Sequence, residues 1–139
     1  MPAKDLYHNT VREALEKDGW MITHDPFYLR IGRYKTYVDL GAEKVLIAAE
    51  KGAEKIAVEV KSFIGTSDID QFEDAFGQFL IYMKALSKKE PDRPLFMAVP
   101  LAFHTRFFDD LFFAELAEEF HLRMIVFDEK KQIIVKWIK

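Results

Sequence analysis

Apolar and polar positions alternate with two different periods along this chain, and the switches between them mark its elements. Tyr7, Val11, Ala14 and Leu15 recur at i, i+4, i+7 and i+8, which predicts a helix from about Lys4 to Asp18 that Gly19 stops. Trp20–Thr23 reads as a short strand ended by Asp25-Pro26, and Thr36–Leu40 as an extended segment holding Asp39. Two strands are expected over about Lys44–Ala49 and Lys55–Lys61, with Glu50–Glu54 as their hairpin turn. Ser67, with Asp70 three residues on, has the form of a capping box for a long helix. Along it Ile69, Phe72, Phe76, Phe79, Met83 and Leu86 form an apolar stripe. After a break at Pro91–Pro94, Leu95–Val99 is apolar throughout, as in a strand buried on both faces. A Phe-rich helix over about Thr105–Phe120 and a hairpin of Met124–Phe127 with Gln132–Trp137 complete the order. The expectation is one α/β domain over residues 1–139, a mixed β-sheet flanked by helices.

One strand carries chemistry. Ile56, Val58 and Val60 alternate with Ala57, Glu59 and Lys61, so Glu59 and Lys61 share a face. If Asp39 comes alongside, two carboxylates could hold a divalent metal while Lys61 faces the reacting group, an arrangement suited to phosphodiester cleavage. The same residues also fit an ion pair on a half-exposed strand, which would add little to stability. A second Glu-x-Lys, Glu129-Lys130-Lys131, sits in a charged run and reads as a solvated turn.

Composition narrows the setting. Half the residues are hydrophobic and there are 13 Phe, enough for one well-filled core. Cysteine is absent, so disulfides and thiolate zinc sites are excluded. No stretch approaches the length of a membrane span, and the charged amphipathic N-terminus is unlike a signal peptide, so a soluble cytoplasmic protein is expected. The net charge of −3 argues against tight, general DNA binding. Arg30-Ile31-Gly32-Arg33-Tyr34-Lys35 is locally basic and has two readings, a polar loop or phosphate contacts from Arg33 and Lys35 beside the site.

The order of elements, with Asp39 and Glu59-Val60-Lys61 on adjacent central strands, resembles the PD-(D/E)XK superfold of restriction endonucleases and Holliday-junction resolvases. Within it the chain is similar to the XisH family, the fdxN-element excision controlling factors. Leu15–Trp20, Thr23–Pro26, Asp39–Lys44, Glu59–Phe63, Gly77-Gln78-Phe79 and Pro91-Asp92-Arg93 carry that likeness.

The resemblance implies Mg²⁺ or Mn²⁺ as cofactor, Asp39 and Glu59 as ligands, the Val60 carbonyl as a further ligand, and Lys61 as organiser of the nucleophile. It also implies a carboxylate from the first helix, but Glu13 and Glu16 fall on the solvent side of the helical wheel. His8 lies nearer the buried edge and is the better candidate, as a ligand, as an anchor for water, or as a packed structural histidine. Val38 stands where the superfold has Pro. Gln71, Gln78 and Tyr82 form a polar stripe on the long helix; it reads either as a flank that borders the core or, for Gln78 and Tyr82, as groups near the metal and a bound phosphate. His24, His104 and His121 lack metal-ligand spacing and read as structural.

Two functions follow. The first is a metal-dependent endonuclease acting on DNA in excision of a genomic element, with an XisI-like companion protein and a site-specific recombinase as partners. The second is a non-catalytic accessory factor of the same fold that works through protein partners. A homodimer or a complex with a companion subunit is also expected, because Phe107, Phe108, Phe112 and Phe113 cover more than one side of a helix; the other reading is a helix sandwiched within the fold and buried all round.

Overall fold

The computed structural model describes residues 5–45 and 53–139. The first helix, α1 (His8–Lys17), buries Val11, Ala14 and Leu15 and ends where Gly19 takes φ +92°. It starts at His8, not Lys4, because Asp5 stands before it and accepts the Tyr7 amide at 2.9 Å. Strand β1 (Met21–His24) follows, one residue later than the sequence pattern suggested.

Beyond Pro26 the chain forms a ribbon of β2 (Phe27–Ile31) and β3 (Tyr34–Val38), turned at Gly32 with φ +61°. The polar-loop reading of Arg30–Lys35 is therefore corrected: these residues lie on a hairpin. Phe27 and Leu29 point into the core while Tyr28 and Arg30 face outward. Strand β4 (Leu40–Val45) begins four residues earlier than expected, and β5 (Ala53–Val60) includes Ala53 and Glu54. The rest of the expected strand and turn lies outside the described residues. Lys61 follows the last residue of β5, its amide donating to the Ala98 carbonyl at 3.0 Å.

Ser67 caps α2 (Asp68–Lys89) by accepting the Asp70 amide at 3.2 Å. Phe72, Phe79 and Leu86 of the expected stripe are buried and Phe76 and Met83 half-buried, but Ile69 is exposed in the first turn. Strand β6 (Leu95–Pro100) leads into α3 (Leu101–Phe107) and α4 (Leu111–Glu119), then β7 (Met124–Asp128) and β8 (Ile133–Ile138). The single helix expected over Thr105–Phe120 is thus two. Asp110 accepts the Phe112 amide at 3.0 Å and starts a new helix, so the Phe residues divide between separate surfaces. Phe107 is buried, Phe108 and Phe113 are half-buried, and Phe112 is exposed.

The main sheet has the order β1-β4-β5-β6-β7-β8, parallel only at β5–β6 and β6–β7. Its two faces carry separate cores. Val58, Val60, Phe96, Ala98, Ile125 and Phe127 pack with Val11 and Leu15 of α1. Ala57, Met97, Val99, Met124 and Val126 pack with Phe72 and Phe79 of α2, where the ribbon's Phe27, Leu29 and Val38 join them. This is a mixed α/β fold with helices on both faces of the sheet. Among the described residues no helix is long and apolar enough to cross a membrane.

Candidate functional site

Asp39 occupies the residue where the chain leaves the ribbon and enters the main sheet, between Val38 of β3 and Leu40 of β4. The β4–β5 ladder stops at the pair Leu40–Val58. Beyond it the Asp39 side chain replaces the ladder, its Oδ2 accepting the Val60 amide at 2.7 Å. Glu59, on the same face of β5 as Ala57, then meets Asp39. Both are buried, with 8% and 7% exposure.

The two carboxyls are close neighbours, and in a site this dry they do not both ionise. Burial, followed by the Asp39 carboxylate, pushes Glu59 up to about 10, with Lys61 pulling the other way. Asp39 goes in the opposite direction. Burial works to raise it, but the neighbouring His8 and Glu59 and the hydrogen bond from the Val60 amide hold it below the usual carboxylate range. With Glu59 pushed up and Asp39 held down, the pair keeps one proton at neutral pH, on Glu59. Glu59 is therefore no half-exposed member of a surface ion pair.

Behind Asp39 lies a charged chain. Arg12 Nη1 donates to Asp25 Oδ2 at 2.6 Å, and Asp25 Oδ1 lies 2.7 Å from His8 Nε2. His8 Nδ1 faces Asp39 Oδ1 at 3.7 Å, too far for a good hydrogen bond. The Asp39 carboxylate is the main cause raising the His8 pKa; burial opposes it and Asp25 reinforces it. Asp39 is held on one side by a backbone amide and faced on the other by the His8 imidazole, whose pKa it raises.

In front of the carboxyls opens a pocket of about 260 Å³, lined by Asp5, Thr36, Tyr37, Asp39, Glu59, Val60, Lys61, Gln78 and Tyr82. Gln78 and Tyr82 are one helical turn apart, and Gln78 Nε2 donates to Tyr82 Oη at 3.1 Å. Tyr82 Oη is also 3.0 Å from Thr36 Oγ1. Among the described residues, the buried side-chain polar atoms without a hydrogen-bond partner are His8 Nδ1 and Gln78 Oε1. His8 borders this site and Gln78 lines it.

The fold thus brings Asp39, Glu59, Lys61, Val60, Gln78 and Tyr82 to one pocket, with His8 directly behind Asp39. Arg33 and Lys35 do not line it. Both are exposed on the ribbon, and Lys35 borders a neighbouring groove with Tyr28, Arg30 and Lys89. Glu13 and Glu16 are exposed on α1 as the wheel requires. Sequence reasoning missed Asp5, Asp25, Thr36 and Tyr37. Asp5 is the acid supplied from the first-helix end, its Oδ2 accepting the Ser62 amide at 3.1 Å just past Lys61. Its signal was an acid just ahead of the first helix's apolar pattern, hidden by placing the helix start at Lys4.

The donor set suits a hard divalent cation. Among the described residues no three His, Cys, Asp or Glu side chains converge as a cage. Two adjacent carboxyls are the number Mg²⁺ usually takes, and a cation bound there would replace the proton that Glu59 keeps. Val60, two residues beyond the last β4–β5 pair, lines the same pocket and offers its carbonyl.

A protein-family model described as XisH protein matches residues 1–135. The crystal structure of an XisH family protein from Nostoc punctiforme PCC 73102 is 40% identical, with TM-score 0.87 over 97% of this chain and 100% of that one. The crystal structure of an fdxN element excision controlling factor protein from Anabaena variabilis is 41% identical, with TM-score 0.86 over 98% and 100%. No curated protein matches the chain.

Proposed function

The chain belongs to the XisH family, and we propose that it is a divalent-cation-dependent phosphodiester hydrolase of PD-(D/E)XK type, acting on DNA during excision of a genomic element. The excision role comes from the Anabaena variabilis relative, described as an fdxN element excision controlling factor. The observation that carries the chemistry is the pair of buried carboxyls, Asp39 and Glu59, that line one open pocket with Lys61. A carboxyl kept protonated at neutral pH has little structural use here, whereas it is the ground state expected of an acidic pair built for a cation.

In this reading Asp39, Glu59 and the Val60 carbonyl hold Mg²⁺ or Mn²⁺. A bound cation of this kind polarises a phosphoryl oxygen and lowers the pKa of water. The chain's own groups do the rest. His8, tied to Asp25 and Arg12, keeps Asp39 ionised and correctly turned. Lys61 offsets charge developing at the phosphate and orients the attacking water. Gln78 Oε1 and the Tyr82 hydroxyl receive and position a phosphate-bound water.

Calorimetric titration with Mn²⁺, followed by cleavage assays on single-stranded, duplex and branched DNA, tests this. Wild type is expected to bind the cation and cut, and Asp39→Asn and Glu59→Gln to lose both. Lys61→Ala should bind the cation yet lose cleavage by a factor of about a hundred or more. Cation binding with no cleavage of any substrate overturns the hydrolase. It would favour instead the accessory-factor reading, in which the chain works through protein partners such as an XisI-like companion and a recombinase.

A further inference from the structure

The chain's net charge is −3, but its charges are segregated. Residues 26–37, the ribbon, contain Arg30, Arg33 and Lys35 and no acid. Residues 75–89, the rest of α2 from Ala75 on, contain Lys84, Lys88 and Lys89 and no acid. These segments pack together, Lys89 Nζ donating to the Tyr28 carbonyl at 2.6 Å. Arg30, Lys35 and Lys89 line one groove and Arg30, Lys84 and Lys88 the next, with Arg33 at the ribbon's turn, while the chain outside these six cations carries a net −9. All six side chains are exposed.

The ribbon's register adds order to the charge. Tyr28 pairs with Tyr37 and Arg30 with Lys35, and these four occupy the outward face because Phe27 and Leu29 take the inner one. The Tyr28 and Tyr37 rings lie 6.4 Å apart, edge to face, and Tyr28 is 64% exposed. Tyr37 also lines the Asp39–Glu59 pocket. One path therefore runs from the cations Arg30 and Lys35, over a tyrosine pair, to the two carboxyls. Lys35 and Asp39 are four residue steps apart along extended chain, a span of about 13 Å.

From this arrangement the geometry points to a track for a single nucleic-acid strand. Arg30 and Lys35 take its phosphates, Tyr28 stacks on a base, and Tyr37 leads the backbone into the pocket. Aromatic rings set among cations suit unstacked bases, which a duplex does not present. The inference rests on the hydrolase reading for its purpose, since it names the substrate that pocket receives: an unpaired strand, such as a flap or loop.

Fluorescence anisotropy in EDTA reads strand binding without cleavage. A labelled oligothymidine should bind at least about tenfold tighter than a duplex of equal length. Arg30→Ala/Lys35→Ala should weaken it about tenfold or more and reduce the slope of log K against log salt by about 1.4, two contacts at about 0.7 each. Tyr28→Ala should cost about fivefold or more, with Tyr28→Phe close to wild type. Lys130→Ala/Lys131→Ala, equal in charge but on the β7–β8 turn, should keep the wild-type slope. Oligouridine beside oligothymidine tells RNA from DNA; tighter binding of either than of duplex carries the inference.

Equal binding of strand and duplex overturns it, as does wild-type affinity in the Arg30/Lys35 variant. The two readings fail separately. A protein that binds the strand and cuts nothing loses the hydrolase and keeps the track. One that cuts DNA unchanged after loss of Arg30 and Lys35 loses the track and keeps the hydrolase.

Discussion

The Asp39 carboxylate accepts the Val60 amide at 2.7 Å, completing by side chain a ladder that the β4 backbone leaves at Leu40. One bond both closes the sheet edge and delivers Asp39 to Glu59. Structure and site share the same residue, so substitutions here separate the two roles only when the isostere keeps the hydrogen bond.

Glu59→Gln is such an isostere, and in metal-free protein it should stabilise. A carboxyl whose folded pKa stands above its unfolded value binds its proton more tightly when folded. Its contribution is whole below the ordinary value of 4.5 and drains away as pH rises towards about 10. Gln carries no such penalty and can still donate to Asp39. At pH 8 in EDTA the variant should melt several degrees above wild type, and at pH 4 the gap should close. Thermal melts across that range decide it; an equal deficit at both ends would mean that the proton is not where Glu59 holds it.

His8 should titrate above 6.5. Asp39 first and Asp25 second raise its pKa against burial, so the imidazolium's contribution is complete below 6.5 and is lost as pH passes through the raised folded value. NMR of the ring carbons reads this directly. Added Mn²⁺ is paramagnetic, so Mg²⁺ is the ion to use for the second half of the test. Mg²⁺ at Asp39 should shift His8 downward, because a cation replaces the proton beside it. A His8 pKa insensitive to Mg²⁺ would place the ion elsewhere.

Much of the fold was legible because its signals are local. Ser67 announces α2, and the unbroken apolar run Leu95–Val99 announces a strand with both faces covered. Glu59 stood out because a charge in apolar alternation is costly unless used. What stayed hidden depended on partners distant in sequence. Phe27, Leu29 and Ile31 alternate, yet the basic residues between them made the ribbon look like a loop until α2 supplied its buried face. Gly41 and Ala42 are too small to mark a strand, although Gly41 must be small: a Cβ there would come 2.9 Å from the Phe27 ring. Asp110 was read inside a helix because the Phe pattern runs across it. Asp25 reaches the site only through His8 and Arg12.

The Phe residues on either side of Asp110 should differ sharply on truncation. Phe107 is 8% exposed and packs against Phe72, Phe103 and Phe113 with ring centroids 4.4–5.0 Å apart. Phe107→Ala should cost about 3–5 kcal/mol by denaturant unfolding. Phe112 is 66% exposed beside Leu111 at 70%, so Phe112→Ala should change folding by less than about 0.5 kcal/mol. Light scattering on the same pair checks the expected homodimer. Association through the α4 surface is lost in the Phe112 variant, whereas a dimer unaffected by it uses another face.

Arg93 is the buried cation of the family-like Pro91-Asp92-Arg93 run, and its role is structural. Its guanidinium is 1% exposed. Nη1 donates to the Ile56 carbonyl at 2.9 Å and the Ala42 carbonyl at 3.4 Å, while Nε donates to Glu90 at 3.1 Å. It also lies 4.9 Å from the centre of the Phe27 ring. One side chain thus joins β4, β5 and the ribbon that carries Asp39. Arg93→Met fills similar space but strands those carbonyls and leaves Glu90 without its partner, a loss of about 2–4 kcal/mol. Arg93→Lys should recover little, because an ammonium cannot reproduce the planar fork that serves several acceptors at once. Well below its melting temperature the Met variant should still bind Mn²⁺ nearly as tightly as wild type, since Arg93 does not line the Asp39–Glu59 pocket. Loss of cation binding in a variant shown to be folded by circular dichroism would instead make Arg93 a positioning residue for the site, acting through the ribbon.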